Sequence, residues 1–236
     1  MAEGTMSLRT PPRSSTMTVD DAPPVNRVER RKQRTRAALI AAAQTFIAQG
    51  KTNVPVLEIT QAADVGMGSF YNHFSSKEEL FDAAVVDVLD AHGALLDELT
   101  ASIDDPAETF ACSFRLTGRM FRRRPRESSI LLSNGLSLIN LDRGVAPRAR
   151  RDIAAAIDAG RFTIDDLELA LSLAGGVLVG TGALIRDRPD RDDAATADRA
   201  TEELLRLFGM TADEAADICR RALPDLDTVF GPASPA

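Results

Sequence analysis

The chain predicts an all-α protein: an N-terminal three-helix helix-turn-helix domain followed by a larger helical domain. Three observations carry this reading. Apolar residues recur at helical spacing from about residue 27 to about residue 222, and no stretch has the weight of a strand. Helix-start signals are dense: Ser76 with Glu79, Asp105-Pro106, and Thr211 with Glu214 each place a side-chain oxygen where it can take an orphan amide. Between about Val56 and Phe74, two short helical segments flank Asp64-Val65-Gly66, which reads as a tight turn.

The elements follow in order. The first helix runs from about Arg27 to Gln49, with Leu39, Ala43, Phe46 and Ile47 at helical spacing and Gly50 as its stop. The second spans about Val56–Ala63, with Val56, Ile59 and Ala63 on one face; the third spans about Met67–Phe74. The fourth runs from Lys77 to about Leu99, capped by Ser76. Its apolar stripe is Phe81, Ala84, Val85, Val88, Leu95, Leu96 and Leu99, and His92 falls on it. Asp105 and Pro106 start the fifth, Phe110, Phe114 and Phe121 line one face, and Pro125 stops it. Further helices are expected over about Glu127–Leu138 and Pro147–Ala159. Thr163 is expected to cap one that reaches Ile185. Two more cover about Asp192–Phe208 and Thr211–Ala222.

Bulk properties narrow the function. The chain has 236 residues and a formal charge of -7, so it does not coat nucleic acid as a whole. The charge is uneven. Residues 27–52 hold Arg27, Arg30, Arg31, Lys32, Arg34, Arg36 and Lys51 against Glu29 alone, while from Asp82 onward 27 acidic side chains outnumber 18 basic ones. A basic head on an acidic body suits contact with phosphate at one end; a solvated charge run is the plainer reading. Cys112 and Cys219 sit far apart inside helical patterns, with no metal spacing, and read as buried thiols in a reducing compartment. Residues 1–26, with Pro11-Pro12 and Pro23-Pro24, read as a disordered arm without a signal sequence, and Met6 and Met17 offer alternative starts. The stretch from Leu169 to Ile185 is uncharged, at the lower edge of the ~17–25 residues a membrane span needs, and its glycines and close charges favour a helix buried on most sides in protein.

The run Phe70-Tyr71-Asn72-His73-Phe74-Ser75-Ser76-Lys77-Glu78-Glu79-Leu80 is the most specific stretch. Phe70 and Phe74 face inward, whereas Tyr71, His73 and Lys77 lie on other sides and offer a phenol, a ring N–H and a point charge. Five cations between Arg30 and Arg36 oppose the macrodipole at the start of the first helix, a conflict an external anion would resolve. With Phe46, Gly50, the Ile59…Ala63-x-Val65 turn and Gly68-Ser69, this pattern resembles the DNA-binding domain of the TetR family of bacterial transcriptional regulators. The resemblance covers about a quarter of the chain; the remainder is similar only in being helical and of suitable length. Asp64 stands where a turn glycine is usual, Gly66 replaces a hydroxyl cap, and Pro55 and Leu57 replace a threonine cap and a polar base contact.

The resemblance implies a cytoplasmic bacterial homodimer that binds a palindromic double-stranded DNA operator and is released by a small ligand, with no cofactor. It divides the chain into an arm at 1–26, a DNA-binding domain at 27–76, a ligand-binding and dimerisation domain at 77–226 and a tail at 227–236. The implied DNA-binding residues are Arg30, Arg31 and Arg34 in the first helix, Met67, Gly68 and Ser69 at the start of the third, and Tyr71, Asn72, His73 and Lys77 beyond. Phe110, Phe114, Met120, Phe121, Leu131, Leu136 and Leu173, with His92, are candidates to line a cavity for an apolar or amphipathic ligand, though each alone could be core. Arg115, Arg119 and Asn140 are candidate polar anchors. Gly176 and Gly180, with Leu184 and Leu204, are the candidate dimer face; a helix of the same chain is the other partner for those glycines. An enzyme is disfavoured, since no nucleophile elbow, phosphate loop, metal cluster or dinucleotide fingerprint occurs. A helical protein-interaction module without DNA contact is the remaining rival, and it leaves the cations of the first helix unexplained.

Overall fold

The computed structural model describes Met1, residues 27–225 and residues 228–229. Most of the expected N-terminal arm, most of the tail, and the side chains of Leu136 and Asn140 lie outside the described residues. Among the described residues the protein has ten α-helices, one 3₁₀ segment and no strand. Helix α1 (Arg27–Ala48), α2 (Val56–Ala62) and α3 (Met67–Tyr71) form the head. Helices α4 (Lys77–Thr100), α5 (Pro106–Arg123), α6 (Pro125–Asn134), α7 (Val145–Asp158), α8 (Leu167–Asp187), α9 (Asp193–Leu207) and α10 (Ala212–Arg220) form the body.

Local chemistry explains most boundaries. Asp64 adopts φ 52°, the left-handed conformation the α2–α3 turn needs, and Val65 N–H closes that turn on the Thr60 carbonyl at 3.0 Å. Ser76 Oγ accepts from Glu79 N–H at 3.1 Å, as a cap should. The reciprocal half differs from expectation: Glu79 Oε2 reaches Ser75, accepting from its N–H at 2.7 Å and its hydroxyl at 2.6 Å, rather than the Ser76 amide. Asp105 Oδ1 accepts from Ala107 N–H, and Thr211 with Glu214 makes a complete capping box.

Four expected boundaries move. The third helix ends at Tyr71, and Asn72 to Phe74 continue as a turn whose amides return to the Phe70 carbonyl. Pro125 does not merely stop α5: it occupies the first position of α6, where a missing N–H costs nothing, and the break falls at Arg124. That helix ends early at Gly135 (φ 52°), and residues Gly135–Asn140 tighten to a 3₁₀ turn. Asp166, not Thr163, caps α8, accepting from Leu169 N–H at 2.9 Å. Thr163 instead donates its backbone N–H to the Phe208 carbonyl at 2.9 Å, beside Gly209. A Cβ at Gly209 would fall 1.8 Å from Thr163 Oγ1, so glycine is required there on space as well as on its φ of 100°.

Two cores hold the molecule. One is continuous from head to body: Leu39, Phe46, Ile59, Phe70 and Phe74 pack with Leu80, Leu89, Leu116 and Ile130. The other joins α5, α7, α8, α9 and α10 around Phe110, Phe114, Phe162 and Phe208, whose ring centroids lie 5.1–5.9 Å apart in the contacting pairs. Helix α8 is long and apolar enough to cross a membrane by length and composition. It packs instead against α5, α7 and α9, with Ala170, Leu171, Ala174 and Ile185 buried. It is less covered than expected, because Leu169, Gly176, Gly180 and Leu184 stand exposed or half-buried along its length.

Candidate nucleic-acid interface and ligand cavity

In the head, α3 is fixed from behind. Phe70 is wholly buried and Phe74 nearly so, which turns Met67, Gly68 and Tyr71 outward. Tyr71 is 62% exposed, yet its ring is braced edge-on against Phe70 at 5.1 Å. Ser69 is half-buried; Asn72 at the end of the helix is exposed. Lys77 Nζ donates to Asn53 Oδ1 at 2.6 Å, which ties the start of α4 to the α1–α2 link and leaves the positive charge unneutralised by that bond.

The basic half of α1 lies beside this surface. Arg30, Arg31, Lys32, Arg34 and Arg36 are exposed, and the Arg36 guanidinium sits 5.3 Å from the Phe74 ring centroid. Burial first, then the charges of Lys32 and Arg36, hold the His73 imidazole below its ordinary pKa. At neutral pH His73 is therefore an uncharged donor inside a cationic patch. The structure thus sets Lys32 and Arg36 of α1 beside His73 and Phe74, and the chemistry of these groups fits phosphate.

In the body, a cavity of about 100 Å³ is lined by α4, α5, α7 and α8, with further residues from α6 and the 3₁₀ segment. Phe110, Phe114 and Leu131 line it, with Leu96, Leu138 and Leu178. The other expected lining residues do not. Phe121 packs instead against α8 where Gly182 leaves room, since a Cβ there would lie 2.5 Å from its ring. Met120 and His92 face a separate groove between α1, α4 and α6, and Leu173 packs into the second core. Leu136 has no described side chain.

His92 is a structural histidine by its geometry. It is 7% exposed, and its Nε2 lies 2.9 Å from Thr117 Oγ1. The Thr117 hydroxyl gives its proton to the Ser113 carbonyl at 2.8 Å, so the imidazole must donate to it. Burial, aided by Arg124, pushes the His92 pKa down to about 4. Arg115 and Arg119 are not cavity anchors either. Both are buried and share Asp198 of α9, at 2.7 and 2.8 Å, binding α5 to α9. Burial opposes ionisation of Asp198, but the bonds from Arg119 and Arg115 outweigh it and hold the carboxyl below its usual range.

The cavity surface is almost wholly apolar, and the small polar edge it has is not apparent from the sequence. Asp97 on α4, Arg148, Arg151 and Asp152 on α7, and Ser113 and Thr117 on α5 are the polar residues among its lining. Arg148 Nε donates to Asp97 Oδ2 at 2.6 Å and Arg151 Nη2 to Asp97 Oδ1 at 3.0 Å. Burial pushes the Asp152 carboxyl up, against the opposing pull of Arg151. Arg148 also donates to the Gly144 carbonyl at 2.6 Å and lies directly over α4: a Cβ at Gly93 would fall 2.6 Å from its Nη1. The i, i+3, i+4 spacing of Arg148, Arg151 and Asp152 is present in the sequence, but the four charges read as an ordinary solvated face unless α7 is known to close a cavity.

At the dimer candidates, Gly176, Gly180 and Leu184 share the more open side of α8. Leu204 does not: it is 1% exposed, buried in the second core, because α9 turns that position toward α5 and α8.

Residues 38–84 match the model of bacterial regulatory proteins of the tetR family, and residues 105–221 match the tetracyclin repressor-like C-terminal domain. The crystal structure of RolR in complex with resorcinol is 36% identical, with a TM-score of 0.66, covering 83% of this chain and 98% of that one. RolR without ligand is 35% identical, with a TM-score of 0.67, covering 80% and 98%. A TetR-family transcriptional regulator from Pectobacterium atrosepticum shares the fold at 23% identity and a TM-score of 0.53, covering 78% and 95%. The helix-turn-helix head, the helical body and these matches together place the chain in the TetR family, as a DNA-binding transcriptional regulator and not an enzyme.

Proposed function

We propose that this regulator is a homodimeric repressor, released from a palindromic operator when a small hydroxylated aromatic compound enters the cavity of the body. The observation that carries the ligand class is a small, largely apolar cavity with charged residues at one edge. Phe110, Phe114, Leu131, Leu138 and Leu178 suit an aromatic ring, and Asp97, Arg148, Arg151 and Asp152 form a polar edge. The charges of that edge are paired with one another, and a phenolic hydroxyl, which both donates to a carboxylate and accepts from a guanidinium, can exchange bonds with them where a hydrocarbon cannot. The size limits the ligand to no more than a single ring: the cavity holds about 100 Å³, and an apolar cavity of about 150 Å³ takes benzene. RolR, over a third identical, binds resorcinol, a dihydroxybenzene.

Release follows from how the polar edge grips α4. Asp97 and Gly93 belong to α4, and Arg148 of α7 bonds the first and covers the second. A ligand hydroxyl inserted beside Asp97 competes with the Arg148 bond, and so changes the packing of α4 on α7. Helix α4 begins at Lys77, directly after the head, and shares one core with α3. Two heads on a two-fold axis then lose the spacing that matches successive half-sites, because the ligand favours the conformation that DNA does not. The dimer itself is supported by the glycines of α8. Gly176 and Gly180 sit in mid-helix with no neighbour within 4 Å of a notional Cβ, so nothing inside the chain requires them. A second copy packed closely against that side would.

Calorimetric titration with resorcinol, phenol and benzene tests the ligand class. Resorcinol should bind more tightly than benzene and should abolish the operator mobility shift. Arg148→Met should keep the DNA complex but lose the response, and Leu131→Trp should do the same by filling the cavity. If no mono- or dihydroxybenzene binds, the ligand class is wrong.

A further inference from the structure

The first turns of α2 and α3 expose apolar side chains where polar ones would be expected, although Gln61 later in α2 and Asn72 at the end of α3 are exposed and polar. On α3 the outward residues are Met67, Gly68 and Tyr71, and Ser69 is half-buried. None offers the paired donor and acceptor groups that Arg brings to guanine or Asn to adenine. At the start of α2, Leu57 is 52% exposed, beside the exposed Glu58, while Ile59 and Thr60 turn inward. Met67 is 43% exposed. Scattered exposed apolar side chains need no explanation. Here two of them occupy the first turns of the two helices of a helix-turn-helix in a DNA-binding protein, where desolvation awaits them.

Gly68 is a second and independent observation. It lies inside a helix, where glycine is less favourable than alanine. Its φ is ordinary, and a Cβ there would meet nothing within 4 Å. Neither backbone geometry nor packing within the chain accounts for it. A surface that approaches α3 from outside more closely than a methyl group allows would account for it.

We propose that this protein reads its operator through thymine methyl groups, with Met67 and Leu57 as the reading side chains and Gly68 as the point where α3 seats against the groove floor. The proposal rests on the family's DNA-binding role and adds the chemistry of recognition. Thymine is the base whose C5 methyl offers apolar contact in the major groove, so each half-site should hold thymines at the positions these two residues meet. Tyr71, braced by Phe70, and Lys77 hold the register from phosphates and carry no sequence preference.

The test uses the full chain. An operator is first selected from randomised DNA, and each conserved thymine is then replaced by deoxyuridine, which removes only the methyl. At the read positions the affinity should fall about fourfold per methyl lost. In Met67→Ala and in Leu57→Ala that penalty should vanish at one position per half-site and persist at the other. Gly68→Ala should raise the melting temperature while weakening operator binding, the opposite of what a structural glycine does. A selected operator indifferent to deoxyuridine overturns the proposal and leaves the DNA-binding role intact, as does a penalty unchanged in both alanine variants. Selection that enriches no sequence at all overturns both.

Discussion

At the scale of single residues, burial decides roles that residue type leaves open. His92 has the chemistry of a ligand contact, yet it is held between α4 and α5 as a donor to Thr117. Its depressed pKa makes it a stability element with a definite pH signature. The unfolded chain binds a proton near 6.5 and the folded chain only near 4. Stability from the neutral, buried form is therefore complete above about pH 6.5 and is lost as pH falls toward 4, on the order of 3 kcal/mol over that window. Chemical denaturation at pH 7 and pH 4.5 should show His92→Gln losing less stability than the parent between the two. Equal losses would mean that His92 contributes nothing to the pH dependence. Asp97 and Asp198, held below the usual carboxylate range by their arginines despite burial, add a separate loss at lower pH.

At the scale of elements, α8 behaves as two half-helices side by side. Ala170, Leu171, Ala174, Thr181 and Ile185 serve this chain's core, while Gly176, Gly180 and Leu184 face outward. Alanine at either glycine adds helix propensity worth about 1 kcal/mol, so an isolated chain should gain stability. Against a partner helix the same methyl separates the backbones. Gly176→Ala and Gly180→Ala should each raise the dimer dissociation constant measured by sedimentation equilibrium, and the double variant more so. An unchanged dimer with a raised melting temperature would place the interface elsewhere.

At the scale of the whole molecule, charge is sorted between head and body. The exposed cations of α1 flank the α3 surface, and the body carries the acidic excess. Association with DNA should therefore be oriented and steeply salt-dependent. Lys77→Ala, which removes a proposed phosphate contact, should weaken all sequences alike and reduce the slope of log K against log salt by about 1. The Lys77–Asn53 bond adds a distinguishing arm: Asn53→Ala removes the positioning partner and keeps the charge, so the slope should hold while affinity falls. An unchanged slope and affinity in Lys77→Ala would remove this residue from the phosphate contacts.

Features that depend on neighbours along the chain can be read from the residues. Caps at Ser76, Asp105 and Thr211, the left-handed Asp64 and the inward Phe70 and Phe74 are local, because a helix end or turn is decided within a few residues. The all-α class and the reading head are therefore legible in the residues alone. The body's site is not. Phe110, Phe114 and Leu131 line the cavity, but Met120, Phe121 and Leu173 are equally apolar and do not; only the packing of α5 against α8 and α6 separates them. Asp97 and Arg148 are far apart in sequence and bond at 2.6 Å because α4 and α7 pack together, and Leu204 is core rather than interface because of the rotation of α9. Such contacts depend on how helices are set against one another, and helical periodicity specifies which side of a helix is buried but not which partner buries it.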